Sequence, residues 1–247
     1  MKKWSIDINC DVGEGVGNEA LIFPLISSCN VACGGHAGDL DTMTQVVKLA
    51  KRYGIRVGAH PSYPDKANFG RAVMGISDEE LHDSILNQLQ EFDTILHQES
   101  VKLEHIKAHG ALYNESAKNE RVALLLLDAI KAYGANVPLY APFGSVMASI
   151  AKESGYEVHY EAFGDRSYNL DLSLVSRTLP NAVIQEPAKV LEQVLPIIKK
   201  GKIVTLSGET ADIEAQTICI HGDTPSAFEI LMYLSQQLPQ HGVEIQK

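Results

Sequence analysis

One junction recurs along the chain: a helix-patterned segment closes on a glycine and a β-rich run begins at once. Lys51-Arg52-Tyr53-Gly54 precedes IRVGAH, Lys131-Ala132-Tyr133-Gly134 precedes ANVPLYAP, Glu153-Ser154-Gly155 precedes YEVHYEAF, and Lys199-Lys200-Gly201 precedes KIVTL. Glycine accepts the left-handed conformation that ends a helix, and Lys or Arg in the last turn suits the negative end of the helix dipole. Helix, glycine and strand repeated this often imply a parallel sheet with helical crossovers. Strands are expected near 5–10, 27–33, 55–60, 104–109, 137–141, 157–163, 202–206 and 217–221, and helices near 40–53, 78–98, 119–133, 144–154, 187–200 and 225–238. So many short strands suggest a closed or nearly closed barrel, although an open doubly wound sheet reads similarly.

The clearest helix start is Ser77 with Glu80, a capping box. Leu81, Ile85, Leu89, Phe92 and Leu96 follow at helical period and predict one buried face. Thr224 and Pro225 read as cap and first-turn proline of the last helix. Residues 61–77 and 164–181 form loops long enough to be functional or covering segments. The 247 residues, 45% of them apolar, fit a single α/β domain over 1–247 with a sizeable core. A formal net charge of −10 with no Lys/Arg run beyond two residues argues against nucleic-acid or anionic-membrane binding. No segment is apolar enough for a signal peptide or membrane span, so a cytoplasmic location is expected. None of the four cysteines forms CxxC. Cys29 and Cys33 read better as buried free thiols than as a structural metal site.

Three histidines stand at the ends of apolar runs, each beside a small residue: His36, His60 and His109. Strand ends converge on one rim of an α/β sheet, where such folds build their sites. Asp7, Asn9 and Asp11 alternate along the first strand and share a face, opposite Ile6, Ile8 and Cys10. A polar stripe facing into a barrel must be hydrated, paired or metal-bound. Gly13 lets the chain turn so that Glu14 returns toward the rim. Asn30 and His36 bracket ACGGHAGD, and Asp39 suits a helix cap. Phe69-Gly70-Arg71 offers a cation suited to a carboxylate. Lys107, His109, Tyr113 and Asn114 look like a polarising, proton-moving set. Glu161, Asp165, Arg166 and Tyr168 crowd the sixth strand end, and His221-Gly222-Asp223 closes the last. Each cluster also has a plain structural use: a solvated edge strand for Asp11, a loop hydrogen bond for His36, a surface arginine for Arg71. No P-loop, GxSxG elbow or HExxH helix is present.

The strings DINCDVGEG (7–15), NVACGGHAGD (30–39), VGAHPSYPD (57–65), FGR (69–71), IKAHGALYN (106–114), EAFGDRSY (161–168) and ICIHGDTPSA (218–227) together resemble the LamB/YcsF family, the A subunit of prokaryotic 5-oxoprolinase, nearly end to end. Departures fall at Gly35, Ala72, Ala108 and Gly164, where the family usually has Phe, Arg, Pro and Ala. The resemblance implies a distorted, TIM-like barrel of about seven strands, related to glycoside hydrolase and deacetylase barrels. It implies ATP-dependent opening of the lactam ring of 5-oxo-L-proline to L-glutamate, with partner subunits B and C and with ATP on this subunit or a partner. The related deacetylases hold a divalent metal with Asp and His. For this chain a metal at Asp11, His36 and His60 is open.

For such chemistry the candidate catalytic residues are Asp11, Glu14, His60, Lys107 and His109. The candidate substrate-binding residues are Asn9, Asn30, His36, Arg71, Tyr113, Asn114, Glu161, Asp165 and Arg166. A metal-dependent amidohydrolase or deacetylase acting alone, and a binding subunit without chemistry, are the alternatives.

Overall fold

The computed structural model describes residues 3–247. Its strands are β1 (Trp4–Val12), β2 (Ser28–Ala32), β3 (Arg56–His60), β4 (Leu103–Lys107), β5 (Leu139–Pro142), β6 (Val158–Phe163), β7 (Lys202–Val204), β8 (Thr210–Asp212), β9 (Thr217–Cys219) and β10 (Val243–Ile245). Its helices are α1 (Glu19–Ile22), α2 (Leu40–Tyr53), α3 (Asp78–Glu99), α4 (Gly110–Ser116), α5 (Glu120–Tyr133), α6 (Val146–Glu153), α7 (Pro187–Lys200) and α8 (Ala227–Gln240). Seven parallel strands close a barrel in the order β1-β2-β3-β4-β5-β6-β9, and β9 pairs back to β1. Closure removes the open edges that a doubly wound sheet would keep.

The first strand carries two neighbours on one side in succession. Trp4–Ile6 pair with β10, and Asp7–Asn9 pair with β9. The run at 202–206 lies outside the barrel: β7 pairs antiparallel with β8 in a separate hairpin. Its place in the barrel wall is taken by β9, which is only three residues long.

Alternation sorts the strand residues into two environments. Ile6, Ile8, Cys10, Val31, Val57, Ile106 and Ile218 face outward and are buried against the helices, with Val47, Leu89, Phe92, Leu127, Val194 and Leu234. Burying each large apolar side chain contributes roughly 1.5–3 kcal/mol, so the hydrophobic core is a sleeve between strands and helices. The helix ends follow the local chemistry. Gly54, Gly134 and Gly201 close α2, α5 and α7 in the left-handed region, at φ 67°, 84° and 62°. Ser77 and Glu80 form the reciprocal capping box of α3, and Asp39 Oδ1 accepts from Thr42 N at the start of α2.

Two local expectations are corrected. The last helix begins at Ala227 with Ser226 as N-cap; the Thr224 hydroxyl donates instead to Asp165 Oδ2 at 2.7 Å. The fourth strand stops at Lys107, and His109 is the N-cap residue of α4. Among the described residues no helix is long and apolar enough to cross a membrane.

Candidate functional site

The inward faces of the strands build a polar column through the barrel. At its base Asp7 accepts from Arg56 Nη2 (2.6 Å), Ser28 Oγ and Thr217 Oγ1. One layer up, Asn9 Nδ2 donates to Thr217 Oγ1 (2.7 Å) and to Glu161 Oε1 (2.9 Å). Asn30 Nδ2 donates to Asn9 Oδ1 and to Asp11 Oδ1, both at 2.7 Å. His105 Nε2 donates to Asn30 Oδ1 at 2.6 Å, and its ring stacks on Tyr140. Gly58 makes room for that ring, because a Cβ there would stand 2.1 Å from His105 Nε2.

Lys107 organises the next layer. It is 2% exposed, and its ammonium donates to Asp11 Oδ1 (2.9 Å), Glu161 Oε1 (2.9 Å) and Cys219 Sγ (3.2 Å). Asn9 Oδ1, at 3.4 Å, is a fourth and longer acceptor, so all three protons of the group are satisfied. Burial alone would lower the Lys107 pKa, but Asp11, Cys219 and Glu161 hold it well above the usual lysine value. Burial would likewise raise Asp11. The charges of His60 and Lys107 outweigh burial and keep its carboxyl well below the carboxylate range.

Above Asp11 the three strand-end histidines meet. His60 Nδ1 donates to the Lys107 carbonyl (2.8 Å), and His109 Nε2 donates to the Phe69 carbonyl (3.0 Å). When neutral, each ring is therefore the tautomer whose other nitrogen carries a lone pair. Those two nitrogens, His60 Nε2 and His109 Nδ1, face one another at 3.0 Å. Glu14 Oε1 lies 3.4 Å from His109 Nδ1, 4.0 Å from His60 Nε2 and 2.9 Å from His36 Nε2. Phe69 adopts φ 55° to present its carbonyl, and its ring stands edge-on to His36 and His109.

Opposed lone pairs repel unless a proton or cation lies between them. Burial, then the His60 charge, pushes the His36 pKa down to about 2, and burial with both neighbouring histidines holds His109 well below its usual value. Burial, with the Asp11 and Asp223 charges, pushes Glu14 up to about 9. Glu14, His36, His60 and His109 place one donor atom each within 4.8 Å of one another. Their contact distances bracket the about 3.3 Å that separates donors around a tetrahedral ion with ligands at 2.0–2.1 Å. The residues thus fit a divalent cation, with the two carbonyl-bound imidazoles already oriented. Asp11, grouped with His36 and His60 on residue type, stands beside this set at 3.5 Å from His60 Nε2. Its Oδ1 is occupied by Lys107 and Asn30.

Just beyond β6 and β9, Asp165 accepts from His221 Nδ1 (2.9 Å), His221 N (3.2 Å) and Thr224 Oγ1 (2.7 Å). Burial would raise Asp165, and His221 and Thr224 bring it below the usual carboxylate value. The His221 ring stacks on Phe163, and one of its nitrogens lies within 4.8 Å of Asp11 and Cys219 donor atoms. At the mouth Arg71 pairs with Asp223 and lies over the Phe69 ring.

Of the candidates read from sequence, Asn9, Asp11, Glu14, Asn30, His36, His60, Lys107, His109 and Glu161 share this one connected region, with Tyr113 against Phe163. Arg166 is spent on the Val175 and Ala182 carbonyls of its own loop. Asn114 is exposed on α4. Sequence reasoning misses His105 as a site residue and names His221 at the end of the last strand without giving it a role. His105 has the same parity as Lys107 on β4, and His221 ends a strand as the other histidines do.

The LamB/YcsF family model matches residues 6–247. The chain belongs to the LamB/YcsF family. It is 40% identical to the A subunit of 5-oxoprolinase from Pyrococcus furiosus over 97% of this chain and 96% of that one. It is 41% identical to the corresponding A subunit from Chloroflexus aurantiacus over 98% of each. The crystal structure of the lactam utilization protein from Thermus thermophilus superposes with a TM-score of 0.91 at 36% identity, covering 98% of this chain and 99% of that one. A T48 deacetylase shares the barrel at a TM-score of 0.51 and 15% identity, covering 98% of this chain and 87% of that one. The family's barrel is thus of the TIM-like kind also built by deacetylases.

Proposed function

We propose that this chain is the ring-opening subunit of an ATP-dependent 5-oxoprolinase. The chemistry rests on one observation: His60 and His109, each tied at its far nitrogen to a backbone carbonyl, converge with Glu14 and His36 directly above an ionised Asp11. The substrate rests on the similarity to subunits named for 5-oxoprolinase and to a lactam utilization protein.

A divalent cation held by Glu14, His36, His60 and His109 would supply Lewis acidity toward an amide oxygen and lower the pKa of water. The remaining work falls to side chains. Asp11, kept ionised by Lys107, takes a proton from the attacking water. Lys107 and Asn30 hold its carboxylate in place. His221, oriented by Asp165 through Nδ1, carries a proton to the departing nitrogen, without which an amide nitrogen does not leave. Arg71 at the mouth receives the substrate carboxylate by exchanging Asp223 for it.

ATP-dependent activation of the lactam oxygen is assigned to subunits B and C, because the mouth offers imidazoles and carboxylates rather than a phosphate cradle. Water then adds to the activated carbon, the carbon–nitrogen bond breaks as nitrogen takes its proton, and a second water releases phosphate from the γ-carboxyl.

Reconstitution with B and C tests the reading: 5-oxoproline and ATP should give glutamate, ADP and phosphate only when this chain is present. Asp11→Asn and His60→Ala should each stop glutamate formation. Glutamate formed by B and C alone would overturn the proposal. The cation cluster favours a second reading, an amidohydrolase acting alone. Zinc- or manganese-dependent turnover of an N-acyl amide by the isolated chain would select it.

A further inference from the structure

Among the described residues eleven large apolar side chains are exposed, and four of them stand on loops at the mouth: Val16, Val73, Leu170 and Leu179, each 48–61% exposed. The first follows β1, the second β3 and the last two β6. Connections that leave the C-terminal ends of parallel barrel strands all open on one face. The turn after β9 ties these loops together. Asn18 Nδ2 donates to the Gly222 carbonyl at 3.0 Å, Arg71 Nη2 donates to Asp223 Oδ2, and Arg177 Nη2 lies 4.0 Å from Asp223 Oδ1. The loop after β6 is also fixed from below. Arg166 donates to the Val175 and Ala182 carbonyls, and Tyr168 and Val175 are buried, so Leu170 and Leu179 project from a framed surface. The charge of the rim differs from that of the chain. Residues 66–77 carry Lys66 and Arg71 and no acid, and residues 169–181 carry Arg177 and Asp171. All four are exposed, whereas Glu14, the one charge of residues 13–18, turns inward to His36. The whole chain has a formal net charge of −10. Apolar side chains set among arginines are the composition of a protein-binding surface.

We propose that this rim is the docking surface for the ATP-using partner, which covers the mouth and sets an acidic patch of its own against Lys66 and Arg177. This rests on the ring-opening reading above and adds the face through which the activated lactam arrives. A lactam phosphorylated on oxygen reacts with bulk water, so the chain that makes it has to release it at the mouth of the chain that consumes it. A second copy of this chain fits the rim poorly. A twofold contact sets a patch against its own copy, which would bring cations against cations and close both mouths.

Interferometry with an immobilised B–C complex and the full chain in solution decides it, together with the rate of glutamate formation. Val73→Asp, Leu170→Asp and Leu179→Asp should each weaken binding about tenfold or more, mainly through faster dissociation. Arg177→Glu should slow association about fivefold, and the wild-type association rate should fall as salt is raised. Leu124→Asp on α5, exposed to a similar degree at 49%, should bind as the wild type does. Each of these side chains is exposed, so all five variants should melt within about 2 °C of the wild type. The three apolar variants should regain the wild-type rate of glutamate formation once B and C are saturating. Wild-type affinity in those three variants, an equal loss in Leu124→Asp, or no binding of B and C by the wild-type chain overturns the proposal. Sedimentation showing a wild-type dimer that Leu170→Asp dissociates overturns it as well and gives the rim to a second copy. The ring-opening reading falls separately, only if glutamate forms without this chain.

Discussion

Replacing Lys107 by Met removes the one cation between Asp11 and Glu161, each 2.9 Å from its nitrogen. Methionine fills a similar volume, so the loss is electrostatic rather than a cavity. Breaking a buried ion pair costs about 3–5 kcal/mol, because the remaining charge stays buried and unpaired. For a chain of this size that is a fall in melting temperature of roughly 6–20 °C. The pH dependence has a definite sign. In the wild type, Asp11 titrates below its unfolded value despite burial, so its contribution is present above that value and is lost as pH falls through the folded one. Without Lys107, burial is less opposed and Asp11 shifts upward. The folded variant then binds protons more readily than the wild type, and its deficit shrinks as pH falls from about 8 to about 5. Urea unfolding of both chains at about pH 5, 6.5 and 8 measures this. A deficit below about 1 kcal/mol, or one that does not change with pH, would refute the account of the column as a charge-balanced core.

Gly58→Ala should destabilise the chain by about 1–3 kcal/mol or more, since the new methyl would overlap the His105 ring; in thermal melts, His105→Ala in the same chain should recover part of the loss. Asp165→Asn should lower kcat for glutamate formation in the reconstituted enzyme by about 10²–10⁴-fold with little change in KM, because His221 loses the carboxylate that sets its tautomer; a kcat within about twofold of wild type would remove His221 from the mechanism. All four thiols are buried and burial raises each pKa, that of Cys33 to about 12, so a thiol reagent at about pH 8 should modify none in the native chain and all four in denaturant.

Much of this architecture is legible in the primary structure because it is local. Gly54, Gly134 and Gly201 mark helix ends, Ser77 with Glu80 marks a start, and Asp7, Asn9 and Asp11 reveal an inward polar face by parity alone. What escapes is set at a distance. β8 and β10 have three residues each, too few to show a period, and exist because β7 and β1 pair with them. Helix α4 is hidden because IKAHGALYN reads as a strand running through His109, while the chain turns at Gly110. Thr224 looks like a cap by its neighbours, yet its hydroxyl serves Asp165, 59 positions away. Residue types at the rim could be gathered from strand ends. The tautomers of His60 and His109 could not, because they depend on the Lys107 and Phe69 carbonyls.

The clasp of β10 on Trp4–Ile6 leaves Lys247 at the base of the barrel, where its side chain is bonded to the Pro24 and Ile26 carbonyls. A tag or tether fixed beyond Lys247 would therefore point the mouth away from the support. Immobilised in that way on a sensor surface, the molecule would leave Arg71 and the Phe69 loop free to meet soluble proteins, and docking at that rim could be timed without first freeing it from the anchor.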